Sequence, residues 1–344
     1  MRRYRVGLIG YGHWGRNLAR VVANHPRTQL AAIVDPDERR IEDIRSAHPH
    51  ATRFTEADGV LEDEDLDVIA VTSPAGTHFA LAMSALERGK HLLVTKPVAT
   101  GLNQALQLQA LAKRKQLVVV VDHTFLYHPC TDRVKRVLDE RWLGEPRVFD
   151  STRTGLGIYK DDVNVIADLA VHDLAILEHL FGMPDWASAI AYSSVPGELP
   201  DNAVITFCYA SGLRAHVRAS WLSPLKQRLI VLVGDRQMLV WDDTLEAGRL
   251  RAFDTGVDRI DRPDASGRAP LSYRAGIARP LDIDSIEPLR AEVDDLVACI
   301  DERRQPVSSL DAAARVVAMV DACDRSSQDG GARVALSRSP GESA

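Results

Sequence analysis

The sequence predicts a protein of mixed class, in which a doubly wound parallel α/β domain precedes an α+β domain built on a mostly antiparallel open sheet. Three observations predict this. Short apolar runs alternate with helix-period segments in the first third of the chain. A glycine-rich turn follows the first apolar run. Beyond residue 122 the strands are longer and alternate polar with apolar residues.

The N-terminal domain is predicted from five apolar runs, because parallel strands covered on both faces appear as continuous apolar segments. These runs lie at residues 5–9, 29–34, 68–71, 91–94 and 117–121. Four segments with helical spacing separate them, at residues 14–24, 37–47, 77–88 and 102–113. The alternation predicts βαβ units, and we assign residues 1–122 to this domain.

The second domain, assigned to residues 123–325, has a different order of elements. Helices are predicted at residues 130–141, 165–180, 289–303 and 310–323, and strands at residues 203–209, 213–220, 227–233 and 237–241. Ser211-Gly212 and Gly234-Asp235 are predicted hairpin turns. Residues 249–280 show no period and predict a long loop, and residues 326–344 predict a flexible tail.

Composition excludes several classes of protein. The net charge of −6 and the lack of a basic stripe argue against a nucleic-acid partner. No apolar run reaches the roughly 18 residues that span a bilayer, and the N-terminal residues do not resemble a signal peptide. The four cysteines form no CxxC pair, so neither a metal site nor a disulfide framework is expected. We therefore expect a cytoplasmic protein with no membrane partner.

A dinucleotide site is predicted at the first glycine-rich turn. Gly10–Gly15 fits G-x-G-x-x-G between the first strand and the first helix, where backbone N–H groups can face a pyrophosphate. Asp35 ends the second strand, where an acidic residue binds the adenosine ribose and repels a 2′-phosphate. The pattern is typical of a Rossmann domain and favours NAD, while Arg39 and Arg40 leave NADP use open.

Two further segments follow strands at the carboxyl edge of the predicted sheet, where ligands of open α/β sheets bind. They are Thr72-Ser73-Pro74 and Thr95-Lys96-Pro97. The first could instead be a turn that caps the next helix, and Lys96 could be an exposed loop lysine. Beside a nicotinamide, Lys96 would be usable as a proton donor or acceptor. The predicted cofactor-contacting residues are Gly10, Gly12, His13, Trp14, Gly15, Asp35, Thr72, Pro74, His78, Lys96 and Pro97.

Asp168 and His172 form a second candidate pair. They are four residues apart, which places them on one face of a helix or of its first turn. A carboxylate beside an imidazole can fix its tautomer and stabilise its charged form. The alternative is a helix-capping aspartate and a core histidine, since His128 and His179 show that lone histidines occur elsewhere in the chain.

Four segments carry a resemblance to a known family. They are GLIGYGHWGRN, VTSPAGTHFALAMSALERGKHLLVTKPVA, VDHTFLYHPC and IADLAVHDLAILEHLFG. The chain resembles the glucose–fructose oxidoreductase, inositol dehydrogenase and MocA (Gfo/Idh/MocA) family from about residue 5 to residue 325. Two C-terminal segments, ASWLSPLKQR and EPLRAEVDDLVACIDERRQPV, resemble members that act as nucleotide-sugar dehydrogenases.

The resemblance implies roles for particular residues. Lys96 matches the lysine of the family's E-K-P motif, while Asp168 and His172 match its D-x-x-x-H pair. His172 would take the hydroxyl proton, Lys96 would stabilise charge on the oxygen, and Asp168 would orient them; Lys96 and His172 could exchange roles. The glutamate of E-K-P is Thr95 here, which changes the charge near Lys96.

The substrate side is predicted to include Tyr127, Lys160, Asn164 and His172, although Tyr127 and Asn164 could equally be packing or turn residues. The expected activity is NAD-dependent hydride transfer to or from a nucleotide-linked or secondary-metabolite sugar, by a homo-oligomer (dimer or tetramer). The alternatives are reduction of a ketosugar in the cell, an inositol or polyol dehydrogenase, and a non-catalytic NAD-binding regulatory protein.

Overall fold

The computed structural model describes residues 2–259 and 270–336, and the chain divides into two compact units. The first unit combines Met1–His128 with Ile286–Asp321, and the second combines Pro129–Ser285 with Ala322–Ala344. Residues 289–321, which the sequence predicts in the second domain, belong to the first unit because their apolar side chains complete its core.

The first unit contains a six-stranded sheet in which every neighbouring pair is parallel. Its strands are β1 (Tyr4–Ile9), β2 (Thr28–Val34), β3 (Thr52–Phe54), β4 (Val68–Val71), β5 (His91–Thr95) and β6 (Val119–Asp122), in the order β3-β2-β1-β4-β5-β6. This is the predicted doubly wound sheet. The prediction missed β3, which has three residues and carries no apolar run.

The α-helices of the described residues are α1 (His13–Asn24), α2 (Glu38–Ala47), α3 (Asp58–Leu61), α4 (Ala75–Glu87), α5 (Leu102–Lys115), α6 (Pro129–Asp139), α7 (Val171–Phe181), α8 (Pro288–Glu302) and α9 (Leu310–Gln328). A 3₁₀ turn covers Thr124–Tyr127, and a π-helical turn covers Ile166–Ala170. Helix α4 begins at Ala75, two residues earlier than predicted, directly after Pro74.

Two apolar clusters cover the two faces of the parallel sheet. One packs Leu18 of α1 and Val293 of α8 against strand residues such as Ile33. The other packs Leu86 of α4, with residues of α5 and of the start of α9, against strand residues such as Val94. Burial on both faces explains the continuous apolar runs, and it leaves the carboxyl ends of the strands to carry polar groups.

The second unit contains a nine-stranded sheet in the order β16-β13-β12-β11-β7-β10-β9-β8-β17. Its strands are β7 (Pro146–Thr154), β8 (Trp186–Tyr192), β9 (Asn202–Cys208), β10 (Arg214–Ser220), β11 (Gln227–Gly234), β12 (Met238–Asp242), β13 (Leu250–Phe253), β16 (Ala278–Pro280) and β17 (Val334–Ala335). Only β7 and β10 pair in parallel, so the predicted mostly antiparallel sheet is confirmed.

The predicted loop at residues 249–280 is wrong in its described part. That part contains β13 and β16 of the large sheet, and β14 (Gly256–Arg259) paired with β15 (Leu271–Arg274). These strands have three or four residues each, which is too short for a period to show in the sequence. Residues 260–269 lie outside the described residues.

The flexible tail predicted from residue 326 is also wrong as far as it is described. Helix α9 continues to Gln328, and β17 pairs with β8 as an edge strand. The buried Ser326 side chain accepts a hydrogen bond from the backbone N–H of Ala189 at 2.8 Å, which fastens this segment to the sheet. Residues 337–344 lie outside the described residues. Among residues 2–259 and 270–336, no helix has the length and apolar character needed to cross a bilayer.

Candidate active site

The glycine-rich turn between β1 and α1 has the geometry that a dinucleotide requires. Gly10 has φ of +97°, and a Cβ there would lie 2.9 Å from the backbone nitrogen of Ser73. A Cβ on Gly15 would lie 2.2 Å from the carbonyl oxygen of Gly10. Gly12 caps α1 without a side-chain hydrogen bond, so the first N–H groups of the helix can face an anion. The turn therefore fits the diphosphate of a dinucleotide.

Asp35 lies directly after β2 and is 1% exposed. Its carboxylate accepts hydrogen bonds from the backbone N–H of Tyr11 at 2.7 Å and of Asp37 at 3.0 Å. The Arg40 guanidinium donates a third at 3.1 Å. The backbone fixes this carboxylate beside the glycine-rich turn, as the predicted ribose contact requires, and Arg40 is held at the same carboxylate.

Trp14, the large residue of the glycine-rich turn, donates its indole N–H to the carboxylate of Asp122 at the end of β6. Thr124 donates its hydroxyl to the same carboxylate at 2.5 Å. The Trp14 side chain remains 36% exposed. It can therefore present a ring face to a ligand while its N–H stays bonded to Asp122. His13 begins α1 on the exposed side of the turn.

The loops that follow β4 and β5 lie at the same edge of the sheet as the glycine-rich turn. Thr72 donates its hydroxyl to the carbonyl oxygen of Gly10 at 2.6 Å, which joins the first of these loops to the turn. Pro74 precedes the first residue of α4, so the capping alternative also describes this segment. Lys96 and Pro97 follow β5, and a cis peptide bond joins them.

His78 is engaged by the protein itself. Its imidazole is 1% exposed and lies between the two loops, within hydrogen-bond distance of the carbonyl oxygens of Ser73 and Pro97. The side chain therefore supports both loops, and its contact with the cofactor stays a prediction.

Lys96 affects a group of buried titratable residues within the first unit. Thr95 pairs with Asp122 across β5 and β6, which places Lys96 and His123 after neighbouring strand ends. Burial, and then the charge of Lys96, lowers the pKa of His123 to about 3. Burial raises the pKa of Asp122, while its hydrogen bonds and the charge of Lys96 act in the opposite direction.

Glu292 of α8 is a residue that sequence reasoning missed. It is fully buried, and its carboxyl group lies against that of Asp122. Burial, followed by the charge of the adjacent Asp122, raises its pKa well above the ordinary value. Two adjacent buried carboxyl groups cannot both ionise cheaply, so burial and the neighbouring acid favour the state in which the pair shares one proton.

Tyr127 is engaged within the first unit. Its hydroxyl donates to Asp295 at 3.0 Å and accepts from the backbone N–H of Ser308 at 3.2 Å. Burial, and then the charges of Glu292 and Asp295, raises its pKa. The packing alternative therefore describes this residue, and its role on the substrate side stays a prediction.

In the second unit, Asp168 lies in the π-helical turn that leads into α7. One of its carboxylate oxygens accepts a hydrogen bond from the Lys160 ammonium at 2.6 Å, and the other accepts from the Trp221 indole at 3.0 Å. Trp221 is fully buried and packs against Tyr159, with ring centroids 5.5 Å apart. His172 follows in the first turn of α7, with its side chain half-buried.

The contacts of two side chains, Asn164 and Asp173, fix the start of this helix. Asn164 accepts hydrogen bonds from the N–H groups of Ile166 and Ala167, at 3.0 and 3.1 Å, and donates to Asp324 at 2.8 Å. Asn164 therefore serves as the cap that the turn alternative describes. Asp173, next to His172, forms a bidentate ion pair with Arg153 of β7, with both distances 2.9 Å and both side chains buried.

Each unit thus brings together some of the predicted site residues. The first brings together the glycine-rich turn, Asp35 and the loops that carry Thr72 and Lys96. The second brings together Asp168, Lys160 and the turn before His172. Sequence reasoning missed Asp122, Glu292, Trp221 and the Arg153–Asp173 pair. A signal existed for Asp122 only, because it ends a predicted strand at the ligand-binding edge.

Comparisons with known proteins agree with this geometry. Residues 4–123 match the profile GFO_IDH_MocA, described as an oxidoreductase family with an NAD-binding Rossmann fold. Residues 131–240 match the profile of the GFO/IDH/MocA C-terminal domain. The two profiles together span most of the chain, and the predicted NAD-binding Rossmann domain is confirmed.

Three proteins illustrate the range of similarity. The uncharacterized oxidoreductase YdgJ of Escherichia coli is 38% identical over 148 residues, which are 43% of this chain and 42% of that protein. The UDP-N-acetylglucosamine 3-dehydrogenase of Acidithiobacillus ferrooxidans is 29% identical over 247 residues, 71% of this chain and 73% of that enzyme. The structure of levoglucosan dehydrogenase in complex with NADH superposes with a TM-score of 0.83 at 18% identity, covering 98% of this chain and all of that chain, and shows the shared fold.

Proposed function

This chain belongs to the Gfo/Idh/MocA oxidoreductase family, and we propose that it transfers a hydride between NAD and a carbinol or keto carbon of a sugar. One observation carries the proposal within the second unit. The carboxylate of Asp168 is held on both oxygens, by Lys160 and by Trp221, at the turn that leads into His172. A fixed carboxylate before an imidazole supports proton transfer, whereas a helix cap alone would not need two side-chain donors.

The residues divide the chemistry as follows. When bound, NAD supplies the nicotinamide carbon that accepts or returns the hydride. His172 takes the proton from the hydroxyl group that is oxidised, and Lys96 stabilises the negative charge that develops on its oxygen. The two could exchange these roles, since both are titratable. Asp168 orients the polar groups around it and remains paired with Lys160.

Substitution tests this assignment. Lys96→Ala and His172→Ala should each lower kcat by at least ~10²-fold, the usual contribution of general acid–base groups. Binding of NADH should change little, because the glycine-rich turn and Asp35 are untouched. His179→Ala, at the other end of α7, is the matched control and should keep its activity. Near-normal turnover in both variants would refute the proposed mechanism.

We propose a nucleotide-linked sugar, or a sugar of secondary metabolism, as the substrate. The similarity to a UDP-N-acetylglucosamine 3-dehydrogenase over 71% of the chain supports this class. A thermal-shift screen should combine NAD(H) and NADP(H) with UDP-linked, TDP-linked and free sugars. A ligand at 100 times its dissociation constant adds ~2.7 kcal/mol of stability, which is easily detected.

The screen also separates the alternatives. A further shift with inositol or another free polyol, and none with nucleotide sugars, would identify a polyol dehydrogenase. Binding of NAD without turnover of any sugar would favour a regulatory protein. Faster turnover of NADH with a ketosugar than of NAD⁺ with the alcohol would favour reduction.

We also propose a cytoplasmic homo-oligomer. The large sheet of the second unit has α6 and α7 on one face, where Val134 and Ile176 pack with Trp241. Ile190 and Val204, on neighbouring strands, remain more than half exposed. An apolar sheet face of this kind is suited to a second copy of the chain. Gel filtration at micromolar concentration should give at least a dimer, and a monomer would contradict the proposal.

A further inference from the structure

A single buried side chain bridges the two loops at the candidate cofactor edge of the first unit. Nδ1 of His78 lies 2.7 Å from the carbonyl oxygen of Pro97, and Nε2 lies 2.8 Å from the carbonyl oxygen of Ser73. Ser73 belongs to the loop after β4, and Pro97 belongs to the loop after β5. His78 itself lies in the first turn of α4, with its side chain 1% exposed.

The chemistry of these contacts restricts which residue can make them. A carbonyl oxygen only accepts hydrogen bonds, so a ring nitrogen bonds Pro97 or Ser73 only when it carries a proton. A neutral imidazole carries one N–H and makes one of the two bonds, and the doubly protonated ring makes both. Donors on opposite sides of a small rigid ring suit two carbonyl groups that lie on either side of it.

The bridge extends a longer chain of contacts along the sheet edge. Thr72 donates to the carbonyl oxygen of Gly10, and Ser73 is the next residue. His78 then joins Ser73 to Pro97, which directly follows Lys96. Side chains therefore connect the glycine-rich turn to the candidate catalytic lysine through three neighbouring loops. Displacing His78 would release the loop of Lys96 from the loop of Ser73.

We propose that His78 is a positioning residue, which ties the Lys96 loop to the Ser73–Pro74 loop and so holds Lys96 where hydride transfer requires it. The proposal rests on the function proposed above for Lys96. It assigns His78 no contact with substrate or cofactor. It also explains why a histidine, rather than an apolar residue, occupies a buried position in the first turn of α4.

The test uses the full chain with three variants. His78→Phe keeps a buried planar ring but removes both donors, and His78→Gln keeps an amide that can donate to one loop. His91→Phe is the matched control, because His91 lies at the opposite end of β5 and accepts one backbone hydrogen bond, from Val118 at 3.0 Å. For each protein, kcat, the KM for NAD and the dissociation constant of NADH are measured.

His78→Phe should lower kcat by about 10–10²-fold, the loss expected when a reacting group moves by about 1 Å. The KM for NAD should rise by a smaller factor, His78→Gln should recover part of kcat, and His91→Phe should keep it. The proposal is overturned if kcat in His78→Phe equals that of the parent, or if His91→Phe loses as much. If His78→Phe does not fold, the comparison of His78→Gln with the control decides in the same way.

A second readout does not depend on turnover. Hydrogen–deuterium exchange in peptides that cover residues 72–78 and 95–98 should accelerate in His78→Phe and not in His91→Phe. If the parent protein turns over no sugar, the proposed function fails and the exchange result still decides whether His78 joins the loops. Unchanged exchange in both peptides would overturn the bridge itself.

Discussion

Each compact unit holds an aspartate whose carboxylate accepts a hydrogen bond from a tryptophan indole, and the remaining neighbours differ. In the second unit, Trp221 donates to Asp168, and the Lys160 ammonium donates to the other oxygen at 2.6 Å. In the first unit, Trp14 donates to Asp122, and the neighbouring carboxyl group is that of Glu292. Asp168 has a cation in direct contact, whereas Asp122 has a second acid beside it in addition to the charge of Lys96.

The difference shows how surroundings assign different chemistry to the same side chain. A charge-assisted hydrogen bond from lysine stabilises the ionised form, so Asp168 is suited to act as a fixed negative charge. Burial raises the pKa of Asp122 and, with the charge of Asp122, that of Glu292, so this pair is suited to hold a proton. We expect function to depend on the charge in the second unit and stability to depend on the proton in the first.

The largest expected effect is on kcat, and it tests the role of the negative charge of Asp168. Asp168→Asn should lower kcat by at least ~10²-fold, because the variant cannot balance Lys160 or stabilise a charged imidazole. Asp122→Asn should change kcat by less than about tenfold, ~1.4 kcal/mol of barrier, because an amide resembles the protonated acid. Steady-state kinetics under saturating NAD measures both. Equal losses would remove the distinction between the two aspartates.

The next effect is on the free energy of unfolding, and it tests whether the Asp122–Glu292 pair holds a proton. An unfolded glutamate ionises near pH ~4.3, while the native Asp122–Glu292 pair keeps its proton to higher pH. The unfolded state therefore binds fewer protons over this window, and the free energy of unfolding should fall as pH rises from about 4 towards the raised native pKa. Glu292→Gln carries an amide in place of the acid and should lack this loss. Relative to the parent, the variant should therefore gain stability between pH 4.5 and pH 8.

Urea unfolding at the two pH values measures this gain. Glu302→Gln, at the exposed end of the same helix, is the matched control and should follow the parent at both pH values. A pH dependence of Glu292→Gln that parallels the parent would show that the buried pair does not hold the proton.

The smallest effect separates stability from catalysis at a single ion pair. Lys160 is 42% exposed, so Lys160→Met should change the free energy of unfolding by less than about 1 kcal/mol. It should nevertheless lower kcat by about tenfold, ~1.4 kcal/mol, because Asp168 loses its cation. Lys135→Met removes the surface pair with Asp139 and is the control that should leave kcat unchanged. An unchanged kcat in Lys160→Met would show that the ion pair of Lys160 with Asp168 does not contribute to catalysis.

The same contrast explains what could be predicted from the sequence. In the first unit, Gly10, Asp35, Thr72 and Lys96 each follow a buried strand, and parallel strands bring their carboxyl ends to one edge. A local motif therefore fixed their position in the fold. The resemblance to a family added the pair of Asp168 and a histidine, which spacing alone left open.

The contacts that hold these residues could not be predicted in the same way. Trp221 is 53 residues from Asp168 along the chain, and it lies in a strand-end segment with no pattern that points to an acid. Glu292 is one of several acidic residues in α8, and nothing in the sequence shows that its side chain is the buried one. For Asn164 the sequence left a substrate contact and a turn residue equally open, and only the fold shows that its amide accepts two hydrogen bonds in the following turn. Tertiary packing decides all three.

The first unit is interrupted in the sequence, and this affects the order in which the protein can be assembled during synthesis. Its parallel sheet is complete by Asp122, yet α8 and the start of α9, with Leu289, Val293 and Glu292, cover it only after the whole segment 129–285 has been translated. The sheet would therefore leave the ribosome with both apolar faces partly uncovered, and most of the second unit would be translated before those faces are closed. The first unit is therefore completed only after residue 286, and the second unit is completed later still, by the residues that follow Asp321. A truncation before residue 286 should yield neither unit in soluble form.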